Sequence, residues 1–482
     1  MYFVKYFRTK DFIDNLSQLN LDTEMSIWQR VGMFWSLMHG PITGCAEAIK
    51  ELPVLRKMIE DKFKFDALVA VPAPFSSCPG YLAHLFDAKI IQFSPTGPWP
   101  KHMEATGKAY NSLVFPTTFG IKFIEPMSFV QKIRNVVAQT LVDSYTMRSS
   151  RLELEYVKKE YPKLPDLYHD YFMERSVLSF VNSNPATHGS WPKYGNTVEI
   201  GGMHIKPGIM HKSFKQRANK FSQSPILLIF NIFLFSGKQL PTDLKEFMDS
   251  HSEGVVLVSF GSSLKPSKMS KKHKEMFYNA FRRLSMSIIW KWDDNDLSRM
   301  PGNVLVRKWL PQNDLLAHPN LKVLVTHGGL LSLQEALYHS VPIVGIPLGS
   351  DQDHNMIRAE RNGFALTLDF PALTEDTIVK AVETVYKDKS IHENIKRMHN
   401  VFVGRGINGL SPAERALKAV DFAIKSNTVN YVKPERDLLQ MPFYITHGYD
   451  IFLVSIITAL IIFKITLKFV KICLKKLLWL LY

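Results

Sequence analysis

Two apolar rhythms alternate along the second half of the chain. Short extended runs at Val323 to Val325 and Pro342 to Pro347 flank a segment in which Leu330, Leu333, Leu337 and Val341 recur at helical spacing. That is the pattern of a βαβ unit. It extends upstream through a helix over 243–250, a strand in Gly254 to Ser263 (GVVLVSFGSS), a helix over 269–285, and strands at Ser287 to Trp292 and Val304 to Arg307. Helices at Thr374 to Tyr386, Ser390 to Val401 and Ala413 to Asn427 follow. Strands and helices in this alternation predict a doubly wound parallel sheet.

The first half reads less regularly. Helical spacing runs from Met25 to Asp61, and Phe65 to Pro72 (FDALVAVP) reads as a buried strand of the parallel type. A helix over Pro79 to Phe86 and a strand over Lys89 to Phe93 come next. Pro98 to Met147 is rich in aromatics at loop-like positions, Glu153 to Pro165 reads as a solvated charged helix, and Val177 to Asn182 reads as a strand closing this domain's sheet.

A length of 482 residues suggests two domains with appendages. The net charge of +15 raises the question of nucleic acid. Six basic residues between Lys206 and Lys238 and five lysines after Asp450, with no acid in either segment, carry most of that surplus. No basic face with interleaved aromatics is left for nucleic acid to bind. Cys45, Cys78 and Cys473 are too few and too scattered to read as a disulfide framework or a zinc site. Tyr444 to Leu467 is long enough to cross a bilayer with its first lysines snorkelling. The basic residues beyond it place the tail in the cytosol and the body in the lumen.

The candidate chemistry lies in the βαβ unit. Thr326-His327-Gly328-Gly329 joins the strand to the helix, so glycines let a ligand approach the backbone where the free N–H groups of a helix start face outward. His327 adds a side-chain donor, and Glu335 can accept from vicinal hydroxyls such as those of a ribose. A nucleoside diphosphate satisfies both. Singly, each of these residues has a bland reading as packing or loop chemistry. Together with an aromatic at Trp309 they form a constellation that packing alone does not require.

Trp309-x-Pro-Gln312, His327-Gly328-Gly329, Glu335, and Asp351-Gln352 with Asn355 resemble the signature of the UDP-glycosyltransferases, in the arthropod style with Leu-Leu-Ser after His-Gly-Gly. The resemblance implies a GT-B type α/β fold, two Rossmann-like domains facing a cleft, with a C-terminal transmembrane helix. It implies that Trp309 stacks on uracil and Gln312 lies by the uridine. His327, Gly329 and Ser332 hold the diphosphate, Glu335 takes the ribose hydroxyls, and Asp351 and Gln352 hold the sugar. Ser259, Gly261 and Ser262 touch the donor. Leu331 stands where many relatives have Asn, removing one contact to the phosphates. Asp351-Gln352-Asp353 and Asp293-Asp294-x-Asp296 imitate a metal motif, but in this arrangement the leaving diphosphate needs no divalent ion. The UDP-sugar is a co-substrate, and no cofactor is expected.

Family members begin with a signal peptide and a strand and loop carrying the catalytic histidine. Nothing before Met25 resembles these, and His39 is not nominated as a base. The carboxylate that partners that histidine stands at the end of the strand matched by FDALVAVP, where this chain has Val71. The expected organisation is an acceptor domain over 1–205, a linker over 206–240 with an atypical basic and apolar insertion, a UDP-sugar domain over 241–427, a return segment over 428–443, a span over 444–467 and a tail over 468–482. Two functional expectations follow. The first is inverting transfer of a hexose, glucose being the usual arthropod sugar, to lipophilic hydroxyl acceptors at the endoplasmic reticulum membrane. The second is a donor-binding pseudoenzyme or scaffold lacking its base. Homo-oligomers remain open in either.

Overall fold

A computed structural model describes residue 45 and residues 51–71, 78–98, 111–116, 124–165, 175–191, 193, 195–205, 240–261, 266–349, 351–404, 409–425 and 449–481. His39, Ser262, the 207–237 insertion and the 428–443 return segment lie outside them.

The first domain contains α1 (Pro53–Glu60), β1 (Ala67–Ala70), α2 (Cys78–Leu85), β2 (Lys89–Ser94), α3 (Phe129–Glu160), β3 (Ser176–Val181), a short helix α4 (Pro185–His188) and β4 (Thr197–Glu199). Its four strands pair in parallel in chain order, as in one half of a doubly wound sheet. Three expectations for this half need correction. The strand at Phe65 to Pro72 is not buried: β1 is an edge strand among the described residues, and Val69 is exposed. The charged helix at Glu153 is the last part of the 32-residue α3, and Glu153, Leu154 and Val157 are buried. The second half of the presumed loop at Pro98 to Met147 belongs to the same helix, started by a capping box of Ser128 and Gln131.

The cysteines also differ from expectation. Cys45 and Cys78 form a disulfide, both buried with Leu55, Met58, Tyr81, Phe86 and Leu154. Spacing could not reveal it, because 33 residues separate the pair and the fold alone brings them together.

The second domain comprises α5 (Thr242–Ser250), β5 (Val255–Ser259), α6 (Lys271–Arg283), β6 (Ser287–Lys291), β7 (Val304–Arg307), α7 (Gln312–Leu316), β8 (Leu321–Thr326), α8 (Leu330–His339), β9 (Ile343–Gly345), α9 (Gln352–Arg361), β10 (Ala365–Thr367), α10 (Glu375–Lys387) and α11 (Lys389–Val403). The sheet order is β10-β9-β8-β5-β6-β7, parallel throughout. The order in which strands are added reverses between β5 and β8, so the crevice at their carboxyl ends is the topological switch point. Strand alternation divides the core. Val256, Val258, Ile288, Trp290 and Val325 pack on the face with α6 and α10. Val255, Leu257, Ile289 and Leu324 pack on the other, with α8 and α11. Each such side chain contributes about 1.5–3 kcal/mol on burial, which fixes the strand ends.

Helix α12 (Pro412–Lys425) packs Ala416, Val420 and Ala423 against Ile91, Val177 and Phe180 of the first sheet. Arg415 donates from Nε and Nη2 to the Glu199 carbonyl at 3.2 and 3.1 Å. Helix α13 (Tyr449–Leu481) contains a 22-residue stretch, Ile451–Ile472, long and apolar enough to cross a membrane and unburied. It overlaps the expected 444–467 span from Ile451 onward and runs on to Ile472; 444–448 are outside the described residues. The helix also continues through the segment expected as a tail, because no glycine or proline interrupts it.

Candidate functional site

The second sheet delivers four loops to its crevice. After β5, Gly261 adopts φ +77° in the left-handed region, and a Cβ there would come within 2.8 Å of His327 Cε1. After β8, Gly329 approaches the same ring atoms, where a Cβ would lie 2.7 Å from Nε2. The imidazole therefore occupies a frame that side chains would fill. Thr326 Oγ1 lies 3.2 Å from Nδ1. Burial, and secondly the positive charge of Lys291, push the His327 pKa down to about 4. At neutral pH the ring is uncharged, and in the tautomer in which Nδ1 accepts from the Thr326 hydroxyl, Nε2–H is left as a donor.

Gly329 caps α8 without any side-chain hydrogen bond, which leaves the first-turn N–H groups to an incoming anion. Gly328 (φ +83°) is held from behind, since Asn355 Nδ2 donates to its carbonyl at 3.0 Å and to Asp351 Oδ2 at 2.8 Å. Asp351 is thereby tied to the anion loop. Gln352 Oε1 accepts from the Leu348 N–H at 2.8 Å.

On the next turn, Gln312 Nε2 donates to Ser332 Oγ at 2.9 Å and to Glu335 Oε2 at 2.7 Å. Glu335 Oε1 stands 3.9 Å from His204 Nε2, contributed by the exit of the first domain. His204 is half-buried and desolvation lowers its pKa to about 4, so this approach is not an ion pair near neutral pH; the same nitrogen lies 3.3 Å from the Leu331 carbonyl. Trp309, following β7, is 74% exposed, which removes the packing reading for it. Lys291 Nζ sits 5.0 Å from the centre of its ring and donates to the Gly261 carbonyl at 2.7 Å.

The structure thus gathers Gly261, Trp309, Gln312, His327, Gly329, Ser332, Glu335, Asp351 and Gln352 at the carboxyl edge of one sheet, with Ser259 buried at the end of β5. Lys291 and His204 were missed by sequence reasoning. The Trp-Lys-Trp run at 290–292 was the available signal for Lys291. His204 stood in the quoted Gly-Gly-x-His exit, which carried no hint of its reach to Glu335. The metal-like acids have protein partners: Asp293 accepts from the Ser267 N–H and hydroxyl, Asp294 pairs with Lys274 at 3.0 Å, and Asp296 accepts from Ser298.

Across the cleft, Glu125 pairs with Arg358 and its carbonyl accepts from Arg361. Asn184 Nδ2 donates to the Phe402 carbonyl at 3.1 Å, and Gly202 N–H to Gln334 Oε1 at 3.1 Å. Val71, just past β1, is 50% exposed.

A family model described as UDP-glucoronosyl and UDP-glucosyl transferase matches residues 224–479. UDP-glucosyltransferase 2 of Dactylopius coccus is 28% identical over 408 residues, covering 84% of this chain and 70% of that protein. UDP-glucuronosyltransferase 2B10 of Homo sapiens is 23% identical over 436 residues, covering 87% and 73%. Among solved structures, Os79 from O. sativa in complex with UDP superposes with a TM-score of 0.50 at 16% identity, covering 83% of this chain and 86% of that one. This last likeness speaks to the fold, the two-domain GT-B arrangement.

Proposed function

Taking as premise that this chain belongs to the UDP-glucuronosyl and UDP-glucosyl transferase family, whose activity is sugar transfer from a UDP-sugar, we propose that it moves a hexose, glucose in the first instance, to hydroxyl groups of small lipophilic acceptors with inversion and without a metal ion. The observation that carries the donor assignment is the bonded group Gln312, Ser332 and Glu335 set beside His327 in its glycine frame at the switch point. In this reading the base stacks on Trp309, the ribose hydroxyls donate to Glu335, and the diphosphate meets the α8 amides, Ser332 and His327 Nε2–H. Asp351 and Gln352 receive the sugar. As the acceptor oxygen attacks the anomeric carbon from the face opposite UDP, the departing diphosphate gains charge where these donors already point.

The acceptor side supports lipophilic substrates through α3, which exposes Phe129, Val130, Ile133, Val137 and Leu141. The body is proposed to lie in the lumen of the endoplasmic reticulum, anchored by α13. The Cys45–Cys78 disulfide supports that side of the membrane, because such bonds persist in oxidising compartments. Domain limits near 205 and 241 follow the same reading.

Val71 favours a second reading. A half-exposed valine can neither accept an imidazole N–H nor stabilise imidazolium, so the chain binds donor while transferring sugar poorly. Incubating the full-length protein in detergent with UDP-glucose or UDP-glucuronate and a panel of phenols, with products read by mass spectrometry, separates the two. Glucoside formation supports the first reading, UDP binding without turnover supports the second, and failure to bind UDP removes both.

A further inference from the structure

Lys291 ends β6 between two fully buried tryptophans, Trp290 and Trp292, on a strand that lies between β5 and β7. Its ammonium bridges both neighbours. It donates to the carbonyl of Gly261 beyond β5 and lies over the ring of Trp309 beyond β7. Lys291 is half-buried, and desolvation lowers its pKa.

Trp309, by contrast, is held by little of the protein. Without a partner on one face, an indole so open to solvent would have to be ordered before a base could stack on it. A cation over one ring face supplies that order and leaves the opposite face open. Its anchor, the Gly261 carbonyl, belongs to the residue whose missing Cβ makes room for His327, so one ammonium sets the spacing between the aromatic platform and the anion nest.

Resting on the donor-site reading above, we propose that Lys291 is the positioning residue of the uridine platform: its ammonium, fixed by the Gly261 carbonyl, pins the Trp309 ring in its base-stacking orientation before the nucleotide arrives. In this proposal the contact with Trp309 makes its contribution one to the base, and a loss larger for UDP than for uridine would place it on the phosphates instead.

The test uses the full-length protein in detergent, with uridine and UDP affinities measured by calorimetry. Lys291→Met keeps the aliphatic stem and removes the charge. It is expected to weaken uridine and UDP by the same factor, about three- to tenfold, with an unchanged unfolding temperature. Lys291→Arg restores binding to within about twofold, since guanidinium also stacks on indole. Adding Lys291→Met to Trp309→Ala brings no further loss, because the two act as one unit. Unchanged uridine affinity in Lys291→Met overturns the proposal, as does a loss confined to UDP or full additivity with Trp309→Ala. Wild-type affinity in Trp309→Ala would instead overturn the donor-site reading itself.

Discussion

In the second sheet every residue of β5 and β9 is buried, and both faces are packed by helices. In the first sheet, β1 leaves Val69 exposed and is followed by the open Val71. The contrast continues in the helices. Those of the second domain bury apolar stripes, whereas α3 buries Asn135, Gln139, Thr146, Ser149 and Glu153 and turns Phe129, Val130, Ile133, Val137 and Leu141 outward. The half proposed to hold the nucleotide is packed from both sides, while the other half offers apolar surface. In the proposed division of labour, a charged donor needs preset geometry and a lipophilic acceptor needs apolar area.

Acid should act most strongly, and on both halves. Burial depresses His188 to about 3 and His204, His327 and His339 to about 4, against 6.5 in the unfolded chain. The unfolded state therefore binds protons that the native state refuses, so the stabilisation is full above about pH 6.5 and is lost as pH falls toward 4. Thermal unfolding followed from pH 7 to 4 should show a steep decline below 6.5, and a flat profile would contradict the burial of these rings. His188 and His204 come from the first half, His327 and His339 from the second, so this effect does not distinguish them.

Removing the disulfide should. Cys45→Ala with Cys78→Ala opens a 33-residue separation, and loop entropy gives a loss of about 3–4 kcal/mol. Limited proteolysis is expected to cut the first domain earlier while UDP binding persists; equal cutting in both domains would break the comparison. Donor-site changes should do the opposite. Trp309→Ala is expected to weaken UDP by about 1–3 kcal/mol through lost stacking, and His327→Ala and Glu335→Ala each by about 1–3 kcal/mol through lost hydrogen bonds. None should alter the proteolysis pattern of the first domain, and calorimetry with UDP reads the affinities.

The same asymmetry decided what the sequence could disclose. Val255 to Val258 and Val323 to Val325 are apolar because both faces of their sheet are covered, so strand and switch point were legible at once. The signature residues then fell around one crevice because each follows a strand end. Helix α3 was illegible because its buried positions from Asn135 to Glu153 are polar, and only Leu154 and Val157 near its end join an apolar core. Asn135 Nδ2 donates to the carbonyls of Ser112 and Phe115 at 2.6 and 2.8 Å, anchoring a loop rather than joining a hydrophobic core. Periodicity scored on apolarity points to the wrong face of such a helix. Strand β10 has three residues, of which only Ala365 is buried, too short for a period to register. The reach of His204 to Glu335 spans 131 positions of chain, and no local pattern encodes it.

That reach means the proposed nucleotide pocket is not the property of one half. A fragment starting at Pro241 would keep Glu335 and Gln312 but expose the carboxylate to water on the side His204 now shields, and would leave Gln334 without the Gly202 amide. Affinities measured on such an excised piece would describe a pocket with one wall taken down.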